Sequence, residues 1–269
     1  TPGVLTETTA EMAVALTFAA ARRVGESERF LRAGHYKGWL PTLFMGELLW
    51  RKTLGIVGAG RIGAAYARMM VEGHKMNVIY YDLYQSEYLE KFVADYASFL
   101  EEQGEPPVTC RRAETIEALF EAADVISIHT VLDESTHHLV NAQRLAGMKK
   151  NAVLVNTSRG PVIDEAALVE HCRQNPDFRA GLDVFEEEPA LKPGLDELEN
   201  VVIVPHIASA TIWTRQGMAT LAASNVAGLL SGFPVWNQAD ILPFLSSNPP
   251  EAAPSILNAE DLNLEIFSD

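Results

Sequence analysis

Cysteine is nearly missing. The 269 residues hold only Cys110 and Cys172, far apart and in no CxxC pair. That excludes a disulfide framework and a thiolate zinc centre, and leaves two buried or idle thiols. Basic charge is also short, with 21 Lys and Arg against 36 Asp and Glu, a net of −15. A general nucleic-acid binder needs a basic footprint to displace counterions, so that class is excluded, and an anionic membrane surface is disfavoured. A small anion is not excluded, because one arginine can hold a carboxylate in an acidic protein. Long apolar runs are lacking too. The longest, "MAVALTFAAA" (12–21), is about half of what a bilayer crossing needs. No basic-apolar-small leader pattern is expected in these residues. What is present is 48% hydrophobic residues, ample for one large domain or two small ones.

Residues 7–23 read as a buried helix, rich in Ala, Leu and Met and ending in arginine. Residues 26–50 combine glycines and Pro41 with His35, Tyr36, Trp39, Phe44 and Trp50. Aromatics in a glycine-punctuated segment fit an arm packed on a partner, or equally a local cover for the core. From residue 53 the pattern changes. "TLGIV", "MNVIYYD", "ADVISIHTVL", "AVLVNTS", "RAGLDVF" and "VVIVPHI" are short β-rich runs, with helical stretches at 114–122, 141–147 and 164–174 between the later ones. Alternation of strand and helix gives a doubly wound parallel sheet in an α/β fold. Apolar runs without polar alternation agree, since such strands are buried on both faces. Residues 84–112 are long for a strand connection and predict an inserted helix ending near Gly104. From 246 onward the chain is rich in Pro, Ser and acid and reads as a flexible tail.

Gly58, Gly60 and Gly63 form a GxGxxG between a strand and a helix, and Asp82 closes the next strand. The first glycine permits the tight turn, the second a close approach of backbone to a pyrophosphate, and the third close packing of helix on strand. A carboxylate at 82 suits a ribose diol and repels a 2′-phosphate. No basic residue follows in Leu83-Tyr84-Gln85. NAD(H) is therefore expected over NADP(H).

Three further segments fall at carboxyl ends of predicted parallel strands, where open α/β sheets bind ligands. They are Asn156-Thr157-Ser158-Arg159-Gly160, Asp183 to Pro189, and Pro205-His206. Arg159 is a planar donor suited to a carboxylate. Hydride transfer to a ketone needs a proton donor, and His206 is of the usual type. A glutamate beside it would favour the protonated ring and fix its orientation. That partner should come from "FEEEP" (185–189).

"TLGIVGAGRIG", "VNTSRGPVIDEAAL", "GLDVFEEEP" and "VVIVPHIASAT" resemble, in order, the motifs of the D-isomer-specific 2-hydroxyacid dehydrogenase family. The resemblance runs from about residue 1 to 245. Within the family it is similar to the plant-type, NADH-dependent, hydroxypyruvate-reducing branch, on "RMMVEGHKMNVIYYDLYQ", the 84–112 insertion and "GMATLAASNV". It implies Arg159 as the carboxylate-binding residue, His206 as the proton donor and Glu188 as its partner. Glu186 and Glu187 would be variable, solvated loop charges. It places Asp183 near the nicotinamide and makes Arg61, Ile62, Thr157, Ser158, Ile207 and Ser209 cofactor contacts. Ala208 departs from the glycine many members carry after P-H-I, which narrows that side slightly.

The implied reaction is reduction of hydroxypyruvate to D-glycerate, and of glyoxylate to glycolate, by NADH. The alternatives are a non-catalytic NAD sensor of the same fold and a dehydrogenase for another D-2-hydroxy acid such as 3-phosphoglycerate. By the same resemblance, residues 1–210 form a Rossmann-type cofactor domain. Residues 211–245 cross back toward a flavodoxin-like substrate domain, of which only a C-terminal remnant is expected here, and 246–269 are the tail. The expected partners are a small 2-oxo or 2-hydroxy acid and a second copy of the chain, a homodimer through the cofactor domain, with no nucleic acid, membrane or metal. The compartment stays open between an organelle and the cytosol, since Phe267-Ser268-Asp269 is no Ser-Lys-Leu-type address.

Overall fold

The computed structural model describes residues 3–238 and 240–267. Ser268 and Asp269, the end of the expected tail, lie outside the described residues. The chain divides into two compact units, Ala10–Ala208 and Thr1–Thr9 with Ser209–Asp269.

In chain order the elements are α1 (Thr6–Ala21), α2 (Val24–Arg32), β1 (Thr53–Val57), α3 (Arg61–His74), β2 (Asn77–Tyr81), α4 (Glu87–Glu102), β3 (Cys110–Arg112), α5 (Ile116–Ala122), β4 (Val125–Ile128), α6 (Ala142–Gly147), β5 (Val153–Asn156), α7 (Glu165–Gln174), β6 (Arg179–Leu182), β7 (Val201–Ile203) and α8 (Ile212–Leu230). All seven strands join one sheet in the order β3-β2-β1-β4-β5-β6-β7, and every pairing is parallel. This is the doubly wound order, and its direction reverses between β1 and β4.

Strand side chains alternate between two cores because successive residues point to opposite faces. Leu54, Ile56, Val78, Tyr80, Val153 and Val155 join one core with Leu16 of α1 and Tyr66 and Met70 of α3. Val57, Ile79, Ile126, Ile128, Leu154 and Leu182 join the other with Leu119 and Phe120 of α5 and Leu168 of α7. Both faces are covered, so the strands read as unbroken apolar runs rather than alternating ones. Helix starts are fixed by side chains. Thr115, Asn141 and Asp164 accept from the N–H groups of Ala118, Arg144 and Ala167 and cap α5, α6 and α7.

In the smaller unit, Thr211 caps α8 by accepting from Thr214 N. Val4, Leu221, Ile241, Phe244 and Ala252 form its core. Val235 bridges to Ala253 and Ile266, and Ala252, Ala253 and Ala259 are buried. Segments after 245 thus contribute apolar contacts and isolated bridges, with no helix or strand of their own among the described residues.

Candidate active site

The β1–α3 turn is held from two sides. Gly58 has φ 90°, and a Cβ there would lie 2.8 Å from the carbonyl carbon and oxygen of His129 at the end of β4. A Cβ on Gly63 would lie 2.1 Å from the Gly58 oxygen, so α3 packs directly on the turn. Gly60 differs, because a Cβ there would meet nothing within 4 Å. Open space therefore lies beside the N-terminus of α3, whose cap residue offers no side-chain acceptor. Unfilled N–H groups and the positive end of the helix suit a pyrophosphate there. Arg61 and Ile62 open α3, with Arg61 exposed.

Asp82 stands just past β2. Its Oδ2 accepts from Ala59 N at 2.8 Å and its Oδ1 from Tyr84 N at 3.1 Å. The carboxylate is thus fixed beside the turn and keeps lone pairs for a ribose diol. The residues present fit a dinucleotide. Sequence reasoning took Leu83 and Tyr84 only as non-basic neighbours of Asp82 and Val131 and Leu132 as strand; all four are exposed apolar side chains just past β2 and β4. The signal was there, since "HTVL" continues apolar past its strand. It also missed Arg112. This residue ends β3 and donates to the carbonyls of Asp82 and Leu83, each at 2.8 Å.

At the end of β5, buried Asn156 shapes the next loop. Its Oδ1 accepts from Ser158 N at 2.9 Å and Ser158 Oγ at 2.8 Å, and its Nδ2 donates to Arg159 O at 2.9 Å. Thr157 Oγ1 is buried without a partner among the described residues, a hydroxyl free for a ligand. Arg159 is exposed. Gly160 has no room for a side chain, since a Cβ would fall 1.9 Å from the Phe185 carbonyl. The Arg159 loop therefore rests on the loop that carries the three glutamates.

At the end of β6, Asp183 is 0% exposed. Its two oxygens accept from Ile207 N at 2.6 Å and Ala208 N at 2.9 Å, and its carbonyl accepts from His206 N at 2.9 Å. Burial pushes its carboxyl up, against the pull of those two N–H groups and of nearby His206. This clamp holds His206 at φ 52° just beyond β7. His206 Nδ1 lies 2.8 Å from Glu188 Oε2, and Glu188 Oε1 accepts from Phe185 N at 3.0 Å. Burial works against ionisation of Glu188, but the His206 hydrogen bond, the Phe185 N–H and the charges of His206 and Arg159 outweigh it and hold its carboxyl below the usual range. Among the described residues His206 Nε2 has no hydrogen-bond partner, and the ring is half exposed. Ser209 follows, its carbonyl accepting from Thr211 N.

The other two glutamates differ from each other. Glu187 is exposed and pairs with Lys192 at 2.7 Å. Glu186 was expected to be a solvated charge, and it is not. Its side chain is 16% exposed, with Oε1 2.9 Å from His138 Nε2. It turns inward because Glu165 and His138 offer donors there.

A family model for the D-isomer specific 2-hydroxyacid dehydrogenase NAD-binding domain matches residues 14–208. The chain is 62% identical over 269 residues to the peroxisomal glycerate dehydrogenase HPR of Arabidopsis thaliana, covering 99% of this chain and 70% of that one. It is 63% identical over 265 residues to the glycerate dehydrogenase of Cucumis sativus, covering 97% and 69%. Among solved structures it is similar to the NADPH-dependent glyoxylate/hydroxypyruvate reductase of Sinorhizobium meliloti, in complex with NADP and malonate. That match has 33% identity and a TM-score of 0.72, covering 87% of this chain and 67% of that one. A doubly wound parallel sheet with a dinucleotide turn defines a dinucleotide-binding α/β class. Within it, the chain belongs to the D-isomer-specific 2-hydroxyacid dehydrogenase family.

Proposed function

We propose that the protein reduces hydroxypyruvate to D-glycerate and glyoxylate to glycolate, with Arg159, Glu188 and His206 as its working residues. The observation that supports this most is the 2.8 Å pairing of His206 Nδ1 with Glu188, which leaves Nε2 without a partner among the described residues at the carboxyl edge of the sheet. When bound, the reduced nicotinamide supplies the hydride for C2 of the 2-oxo acid. Arg159 binds the substrate carboxylate and polarises the ketone. His206 donates the proton from Nε2 to the developing alkoxide oxygen. Glu188 holds the ring by Nδ1, fixes which nitrogen is free, and stabilises the imidazolium before transfer. Asp183 acts on the backbone, keeping the His206 turn in place. Thr157 and Ser158 are the proposed cofactor contacts at the end of β5.

NADH is the proposed form. The Asp82 carboxylate beside the glycine turn disfavours a 2′-phosphate. The nearby guanidinium of Arg112 is engaged by two backbone carbonyls. A kcat/KM higher with NADPH than with NADH would overturn this assignment.

The proposed assembly is a homodimer using the 26–50 arm. Leu31, Trp39, Leu40, Met45, Leu48 and Trp50 are all exposed there, more apolar surface than an isolated arm is expected to leave in water.

The test is an assay panel of hydroxypyruvate, glyoxylate, pyruvate and 3-phosphohydroxypyruvate with NADH on the full-length protein. The highest kcat/KM is expected with hydroxypyruvate. Binding of NADH with turnover of none of the four would favour a sensor, and preference for the phosphorylated acid would reassign the substrate. His206→Ala should lower kcat sharply with NADH binding nearly unchanged.

A further inference from the structure

Three loops meet beside the proposed site, from the carboxyl ends of β4, β5 and β6. The first two are joined through backbone groups. His138 N donates to Pro161 O at 2.8 Å, Val140 N to Val162 O at 2.9 Å, and Asp164 N to Val140 O at 2.9 Å. The second and third are joined at Gly160, which abuts the Phe185 carbonyl. They are joined again by a reciprocal exchange, in which Glu165 N donates to Glu186 Oε2 at 3.3 Å and Glu186 N to Glu165 Oε2 at 3.0 Å. Glu186 Oε1 then reaches back to His138 Nε2 at 2.9 Å, closing the ring of loops. His138 has φ 49°, in the left-handed region that residues other than glycine enter in only a few per cent of cases.

Two carboxyl groups this close repel if both are ionised. Lys192 Nζ lies 3.8 Å from Glu186 Oε2, and burial pushes the Glu165 carboxyl up toward its neutral form. Glu165 is 3% exposed, and its Oε1 has no partner among the described residues. A cluster this closely arranged around a loop glutamate is unusual for a variable surface charge.

We propose that Glu186, held between His138 and Glu165, is a positioning residue that keeps the Arg159 loop and the Glu188 loop in one register for the reduction. The proposal rests on the dehydrogenase reading above. Arg159 directly precedes Gly160 and Glu188 lies two residues beyond Glu186, so the cluster sits between the residue that grips the carboxylate and the partner of the proton donor. A displacement of about 1 Å between such groups can cost on the order of 10²-fold in rate. Thr157 and Ser158, the proposed cofactor contacts, are held separately by Asn156 at the end of β5, so turnover is expected to change more than cofactor affinity.

The experiment uses the full-length protein with Glu186→Ala, His138→Ala, the double variant, Glu186→Gln, and Glu187→Ala as control. Readouts are kcat and KM for hydroxypyruvate, NADH affinity by fluorescence, and the melting curve. Glu186→Ala should lower kcat at least about 10-fold and raise KM for the 2-oxo acid, with NADH affinity within about two-fold. The double variant should be no worse than the worse single variant, because both break one unit. Glu186→Gln, which keeps the shape and one acceptor, should recover most of the loss, and Glu187→Ala should change little. The proposal is overturned if Glu186→Ala matches the wild type, if the single losses multiply in the double variant, or if NADH affinity falls in step with kcat. Should Glu186→Ala not fold, His138→Ala, which leaves both carboxylates in place, is judged by the same criteria. A wild-type protein that does not reduce hydroxypyruvate would instead sink the functional reading.

Discussion

His206 Nδ1 lies 2.8 Å from Glu188 Oε2, although the two residues sit on loops that follow different strands of the sheet. The third glutamate of the run is thus separated from Glu187 by geometry. Glu188 faces the imidazole, whereas Glu187 faces Lys192 in solvent. Replacing Glu188 with Gln removes the carboxylate that holds Nδ1 of the ring. For reduction, kcat should then fall by about 10- to 100-fold, the scale of one positioned proton-transfer partner. Glu187→Gln should leave kcat unchanged. Equal kcat values for the two variants would remove Glu188 from its assigned role.

Asp183 gives a separate prediction, on stability. Its carboxylate accepts from both Ile207 N and Ala208 N and is fully buried. Asp183→Ala strands two backbone donors, each worth about 1–3 kcal/mol when left unsatisfied. A loss of about 2–5 kcal/mol is expected in urea unfolding, together with reduced kcat as the His206 turn loosens. A variant as stable as the wild type would mean that the turn is held by other bonds.

The sheet was legible because buried parallel strands leave a simple trace, short apolar runs separated by helical stretches. β4, β5 and β6 are buried at every position and stand out as "VISI", "VLVN" and "RAGL". β3 did not stand out. It has three residues, Cys110-Arg111-Arg112, two of them exposed, and pairs on one side only. With β3 unseen, the approach of Arg112 to the Asp82 loop was invisible. α2 was read as part of a glycine-punctuated arm because its nine residues run directly into Gly34, Gly38 and Pro41, and none of them is buried. The inward turn of Glu186 was beyond sequence reasoning for another reason. Which of three adjacent acids is buried depends on donors 21 and 48 positions away, at Glu165 and His138.

The exposed arm leads to a prediction on assembly. Trp39 is 79% exposed, among several other exposed apolar side chains between 31 and 50. A tryptophan at the centre of an interface commonly contributes about 2 kcal/mol or more. Trp39→Asp should therefore weaken the proposed dimer by more than about 10-fold, read as a fall in mass by sedimentation or light scattering at micromolar protein. An unchanged mass would remove Trp39 from the interface.

The last prediction concerns acid. His129 Nε2 lies 2.8 Å from Ser127 Oγ, and its ring packs 5.3 Å from that of Tyr66, which in turn bonds Thr17 at 2.7 Å. Burial lowers this imidazole to about 3, whereas in the unfolded chain it titrates near the ordinary value of about 6.5. Between those values the unfolded state binds the extra proton, so stability must fall as pH drops through that window. The loss attributable to this group between pH 7 and pH 5 is about 1–2 kcal/mol. Asp183 and Glu165, whose carboxyls burial pushes up, have the opposite sign, because the folded state then holds more protons just above the ordinary carboxylate range. Those groups are common to the wild type and a His129→Asn variant, so the difference between the two isolates the imidazole. Urea unfolding at pH 7 and pH 5 should show a shallower pH dependence for His129→Asn, even if that variant is less stable at both. Equal slopes would mean that His129 accepts its proton in the folded state, and that its ring is packed less tightly between Ser127 and Tyr66 than the structure shows.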